Sequence, residues 1–162
     1  MMTHVGTCLT AKGVKPIVTF KQQFKNTYLY GSFSPINGNN FVWEVEGVDG
    51  AIFEAYLKAF SLYQPQEYKI VIIDNAGFHA TKNIDIPENI HLVNIPPYTP
   101  ELNPSEKVWQ FLKQRFKNQT FENIGILKGW LHKTVKELII PERVISITKT
   151  EFYNNLFKAQ FY

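Results

Sequence analysis

No aspartate or glutamate occurs before Glu44, so chemistry that needs a carboxylate on an early strand has no candidate there. Cysteine occurs once, at Cys8. That excludes an internal disulfide and a cysteine-rich zinc site, and Cys8 reads as a small buried residue. The four histidines, His4, His79, His91 and His132, include no close pair of the H-x-x-x-H kind, so zinc is not expected. No apolar run reaches the roughly 20 residues of a membrane span, and the polar opening MMTHVGTC has no apolar signal core. A cytoplasmic protein without a membrane partner is expected. Repeats, low-complexity tracts and linkers are also lacking, which argues for one domain over residues 1–162.

The residues that are present support a packed core. A chain of 162 residues that is 44% hydrophobic and 15% aromatic has the apolar surface a disordered chain lacks. Net charge is +3 and the pI is near 8.9, which permits nucleic-acid binding without requiring it. The excess sits at one end, because residues 1–43 hold Lys12, Lys15, Lys21 and Lys25 and no acid.

Val14 to Phe20, Thr27 to Ser34 and Phe41 to Val45 are rich in β-branched and aromatic residues and predict three antiparallel strands. SPINGNN between the last two supplies Pro, Asn and Gly for a reversing turn. A helix is expected from about Asp49, with Ile52, Phe53, Tyr56, Leu57 and Phe60 at helical spacing, ending at Gln64-Pro65. The apolar run in Tyr68 to Asp74 predicts a strand buried on both faces, and Ile90 to Ile95 a shorter parallel neighbour reached by a crossover. Helices are expected over Pro104 to Lys117, over Phe121 to Ile139 with Pro141 as the stop, and around Lys149 to Lys158. Strands first and helices after imply a layered α/β domain.

Asp74 closes a buried apolar strand, and Glu106 stands at a helix start, with 31 residues between them. Ligands gather at the carboxyl ends of strands in such sheets. Hard cations such as Mg²⁺ need carboxylate oxygens held on rigid elements. Spacing alone leaves two readings of each residue. Asn103, Pro104 and Glu106 also satisfy a helix-start rule, with cap, first-turn proline and acid, and Asp74 would serve as the cap of a turn.

The stretch VIIDNAGFH, which contains Asp74, and the stretch PPYTPELNPSEKVW, which contains Glu106 and ends at Trp109, resemble two catalytic boxes of the mariner-like superfamily of DDE transposases, in its bacterial insertion-sequence branch. TCLTAKGVKPIV (Thr7 to Val18) and YLYGSFSPINGN (Tyr28 to Asn39) are similar to the segment after the family's first strand and to its next hairpin. The resemblance implies an RNase H-like (ribonuclease H-like) α/β fold, a mixed sheet flanked by helices, and metal-dependent cleavage and joining of transposon ends in DNA transposition. It implies Asp74 and Glu106 as catalytic metal ligands for Mg²⁺ or Mn²⁺, in preference to Glu101. His79, Lys107, Lys113 and Lys117 are candidate DNA contacts, and Lys107, Lys113, Arg115 and Lys117 make their helix basic on its outer side. In the family the first strand is central and carries a further Asp. Without an early acid, the expectation is an N-terminally truncated catalytic domain, inactive alone. Its partners would be transposon-end and target DNA and an upstream-encoded transposase segment or second subunit, with nucleoid association on DNA. The alternative is a non-catalytic DNA-binding or transposase-binding module.

Overall fold

The computed structural model describes residues 26–74, 84–96, 99 and 102–149. The elements run β1 (Tyr28–Phe33), β2 (Asn40–Val45), α1 (Gly50–Leu62), β3 (Lys69–Ile73), β4 (Ile90–Asn94), α2 (Ser105–Phe116), α3 (Ile124–Leu138) and α4 (Pro141–Thr148). The architecture is mixed α/β. The strand expected at Val14 to Phe20 and most of the helix expected at Lys149 to Lys158 lie outside the described residues.

β1 and β2 form an antiparallel hairpin in which Tyr28 opposes Val45 and Phe33 opposes Asn40. Its loop closes through Ser34 N donating to Asn39 O at 2.8 Å and Gly38 N donating to Ser34 O at 3.0 Å. Gly38 has φ +74°, and a Cβ there would collide with the Pro141 backbone at the start of α4. Gly38→Ala should therefore combine left-handed strain with overpacking and lower stability by about 2–3 kcal/mol. Urea unfolding measures this, and a loss below about 0.5 kcal/mol would contradict it.

Strand alternation gives this hairpin two working faces. On one, Tyr30 and Val45 pack on Phe53, Tyr56 and Leu57 of α1, which begins at Asp49, whose Oδ1 accepts from Ile52 N at 2.8 Å. The Tyr56 hydroxyl donates to Phe41 O at 3.2 Å and lies 2.7 Å from Ser32 Oγ. On the other face, Phe33 joins Val108 and Leu112 of α2, Ile139, and Val144 of α4. Gly31 leaves room there for Trp109, whose ring meets Phe33 edge-on at 5.3 Å. The hairpin is thus a middle layer between α1 and the later helices.

Burial raises the Tyr56 phenol pKa, against a smaller lowering by Ser32. In an unfolded chain the phenol ionises near pH 10, whereas the fold retains the proton. The unfolded state then binds fewer protons, so stability present below about pH 10 falls as pH rises, by at most about 1.4 kcal/mol per pH unit from this group. Urea midpoints between about pH 9 and 11 should drop, and Tyr56→Phe should flatten that drop. An equal slope in the variant would contradict it.

β3 and β4 pair in parallel, Lys69 opposite Ile90 and Ile73 opposite Asn94, as the sequence predicts. One face of this ribbon sends Ile73, Ile90, Val71 and Leu92 into the same α1 core that holds Tyr30 and Val45. The other differs from expectation, because Ile70 is 68% exposed and Val93 39%, so β3 is covered on one side. Among the described residues the strands form two two-stranded sheets, joined through α1 and not by a common ladder.

The later helices depart from expectation at their ends. α3 starts after Asn123, whose Oδ1 accepts from Ile126 N at 3.0 Å, and Pro141 opens α4 rather than only stopping α3. No helix among the described residues is long and apolar enough to cross a membrane.

Candidate active site

Asp74 is the first residue beyond β3 and is half-buried. Ile95 N donates to Ile73 O at 3.0 Å, so the backbone leaving β4 runs directly beside the residue preceding Asp74. Between that edge and α2 two hydrogen bonds are described. Thr99 Oγ1 donates to Pro96 O at 2.6 Å, and Leu102 N donates to Thr99 O at 3.1 Å.

The start of α2 then shows how Glu106 is held. Pro104 already has helical backbone, φ −63° and ψ −22°. Asn103 Oδ1 accepts from Ser105 N at 3.1 Å, and Asn103 O accepts from Glu106 N at 3.2 Å. Asn103 therefore does the capping. The Glu106 carboxylate is exposed and makes no hydrogen bond or ion pair among the described residues. A reciprocal capping box would need that side chain to reach back to the Asn103 amide. What remains of the helix-start role is the charge beside the helix N-terminus.

At 100° per residue, Lys113 and Lys117 fall within about 20° of Glu106 on α2, with Lys107 about a quarter turn aside. All three lysines are exposed and have no ion pair among the described residues. Arg115 is also exposed, as expected of an outer-side basic residue, but falls half a turn from Glu106, with its guanidinium carbon 3.9 Å from the Phe111 ring centroid. His79 and Glu101 lie outside the described residues.

Among the described residues no three His, Cys, Asp or Glu side chains sit together as a metal cluster. A two-carboxylate set still suits Mg²⁺, which is usually held by one or two carboxylates with waters and substrate phosphates completing its shell. Asp74 and Glu106 supply that donor type from a strand end and a helix start.

A cavity of about 590 Å³ lies between the β1–β2 hairpin and α3, lined by Leu29, Val42, Trp43, Glu44, Lys128 and His132 among others. None of its lining residues comes from β3, β4 or α2. Lys128 Nζ sits 2.7 Å from the nearly buried Glu44, with His132 Nε2 3.3 Å from the other carboxylate oxygen. The Glu44 hydrogen bond raises the Lys128 pKa. We read this cluster as the polar tie of α3 to β2; sequence reasoning missed it because its members are far apart in the chain.

The family model described as DDE superfamily endonuclease matches residues 3–128, well over half of the chain and including both Asp74 and Glu106. This chain belongs to the DDE superfamily endonucleases. A DDE endonuclease relationship of this kind fits the strand-end Asp and helix-start Glu already described. The chain is also 31% identical over 98 residues to the uncharacterized protein y4pE/y4sA of Sinorhizobium fredii (strain NBRC 101917 / NGR234), over 59% of this chain and 73% of that protein. The shared stretch is the larger share of that relative, so the relative is the shorter chain. No solved structure matches.

Proposed function

We propose that this DDE endonuclease is the catalytic-domain part of a mariner-like, insertion-sequence transposase, which cleaves and joins DNA strands with Mg²⁺ or Mn²⁺ held by Asp74 and Glu106. The observation that carries the reading is an acid just past β3 and a second acid in the first turn of α2, with the exit of β4 hydrogen-bonded beside the first. A bound divalent ion supplies Lewis-acid polarisation of a phosphoryl oxygen and an acidified water or hydroxyl. The chain's own part is to fix the two carboxylates on rigid elements and to present Lys113 and Lys117 on the Glu106 face for the phosphate backbone. His79 and Lys107 are further DNA contacts in this reading.

The third carboxylate of such a site has no source in residues 1–43, which contain no acid. We propose that a segment outside this sequence, or a second transposase subunit, supplies it on a strand. That strand would join the two ribbons into one RNase H-like mixed sheet, since both already pack on α1. Two-stranded sheets with free edges are rarely stable without such a partner.

The test is cleavage of supercoiled and transposon-end DNA in Mg²⁺ or Mn²⁺, by the chain alone and with an upstream-encoded acid-bearing segment added. Cleavage only with the added segment is expected. Cleavage by the chain alone would contradict the incomplete site, and no cleavage in either arm would contradict the catalytic reading.

The missing early acid also motivates a second reading, a binding module that engages DNA or an intact transposase without catalysis. It predicts a salt-sensitive complex with transposon-end DNA that is indifferent to Mg²⁺. Failure to bind either DNA or transposase would end it.

A further inference from the structure

The geometry points to a second DNA contact: we propose that Arg115 of α2 and Arg143 of α4, gathered around the Phe111 ring, form a clamp for backbone phosphates on a face separate from the one carrying Glu106. The inference rests on the DNA-processing reading above. Arg115 stands nine residues after Glu106, which at 100° per residue is half a turn round the helix. The lysines of the Glu106 face therefore do not include it. The guanidinium carbons of Arg115 and Arg143 lie 3.9 and 5.4 Å from the Phe111 centroid.

Covering one aromatic ring is an ordinary use of an arginine stem, and one arginine suffices for it. Two guanidiniums at one ring bring like charges together, and among the described residues neither has a hydrogen bond or an ion pair. Even Glu142, next to Arg143 in the chain, forms no ion pair with either. Contact with the ring holds the Arg115 guanidinium at 3.9 Å and the Arg143 guanidinium at 5.4 Å from its centroid and uses none of their N–H donors. That fork matches phosphate oxygens bidentately at small entropic cost. The two helices are locked by the buried contacts of Val108, Leu112 and Val144, so the clamp is preorganised. α4 lies beyond residue 128, where the family match ends. A polyanion that meets both the lysine face and the arginine pair is favoured over a small anion, and in this reading it is duplex DNA.

The test is fluorescence anisotropy of the full chain on duplex DNA across a salt series, comparing wild type with Arg115→Gln/Arg143→Gln. The expected result is a Kd raised about tenfold or more and a log–log salt slope reduced by about two, one per lost phosphate contact. Arg115→Lys/Arg143→Lys, which keeps the charge, should retain most of the slope. If the double Gln variant fails to fold, Arg143→Gln alone reads a slope reduced by about one. A folded Gln variant that binds with unchanged Kd and slope overturns the clamp while leaving the DNA reading intact. A wild-type chain that does not bind duplex DNA even at low salt overturns both.

Discussion

Asp74→Ala and Glu106→Ala should each lower metal-dependent DNA cleavage by the reconstituted enzyme at least a hundredfold. A metal's stabilisation of transition-state charge amounts to several kcal/mol, and each 1.36 kcal/mol is tenfold in rate, so losing a ligand in a set of so few leaves little. The Glu106 substitution separates the two readings of that residue. Its carboxylate is exposed and makes no hydrogen bond or ion pair among the described residues, while Asn103 caps the helix. Glu106→Gln should therefore cost at most about 1 kcal/mol, the worth of an acid beside a helix N-terminus, while abolishing cleavage. Retained cleavage with a small loss of stability would reduce Glu106 to a helix-start acid. Thermal unfolding run beside the cleavage assay distinguishes these results.

Leu57→Ala should be the most damaging core truncation. Leu57 is fully buried on α1, at the point where residues of both ribbons meet, Tyr30 and Val45 from one and Ile73 and Ile90 from the other. Removing a buried leucine costs about 2–5 kcal/mol in lost transfer energy and residual cavity. Domains are stable by about 5–15 kcal/mol in all. At about 2–4 °C per kcal/mol for a chain of this size, the thermal midpoint should fall by roughly 4–20 °C. Cleavage should fall with it, because Asp74 follows directly on Ile73, a member of that core. Ile70→Thr, on the exposed face of β3, serves as the control and should stay within about 0.5 kcal/mol of wild type. Equal effects of the two substitutions would mean that α1 is not the common support of the ribbons.

How much of this was legible in the sequence depended on the range of the interaction. The β1–β2 hairpin, its SPINGNN turn, the Asp49 cap and the α2 start are local, so residue type and spacing carry them. The parallel pairing of β3 with β4 was legible from two apolar runs and the length between them. How many layers cover a strand is set by other parts of the chain, and the run YKIVIID carries no mark that Ile70 stays exposed. In the sequence Pro141 reads as a stop, yet proline fits the first turn of a helix as well as it ends the previous one. α4 consequently went unread. Arg115 is exposed, as its place among the outer-side basic residues of α2 implies, whereas the approach of Arg143 to Phe111 and the Glu44–Lys128 tie join elements that no local pattern connects. Of the candidate site, the two acids are candidates from the sequence because the surrounding motifs are long and specific. Their three-dimensional relation is not a property that spacing encodes.

That relation is also where the account stands or falls, and anomalous X-ray diffraction from crystals soaked in Mn²⁺ measures it. The account predicts an anomalous peak coordinated by carboxylate oxygens of both Asp74 and Glu106 at the carboxyl edge of the β3–β4 ribbon. Carboxylates of Asp74 and Glu106 that point apart, with no ion shared between them in crystals grown with the strand-supplying segment, would contradict it.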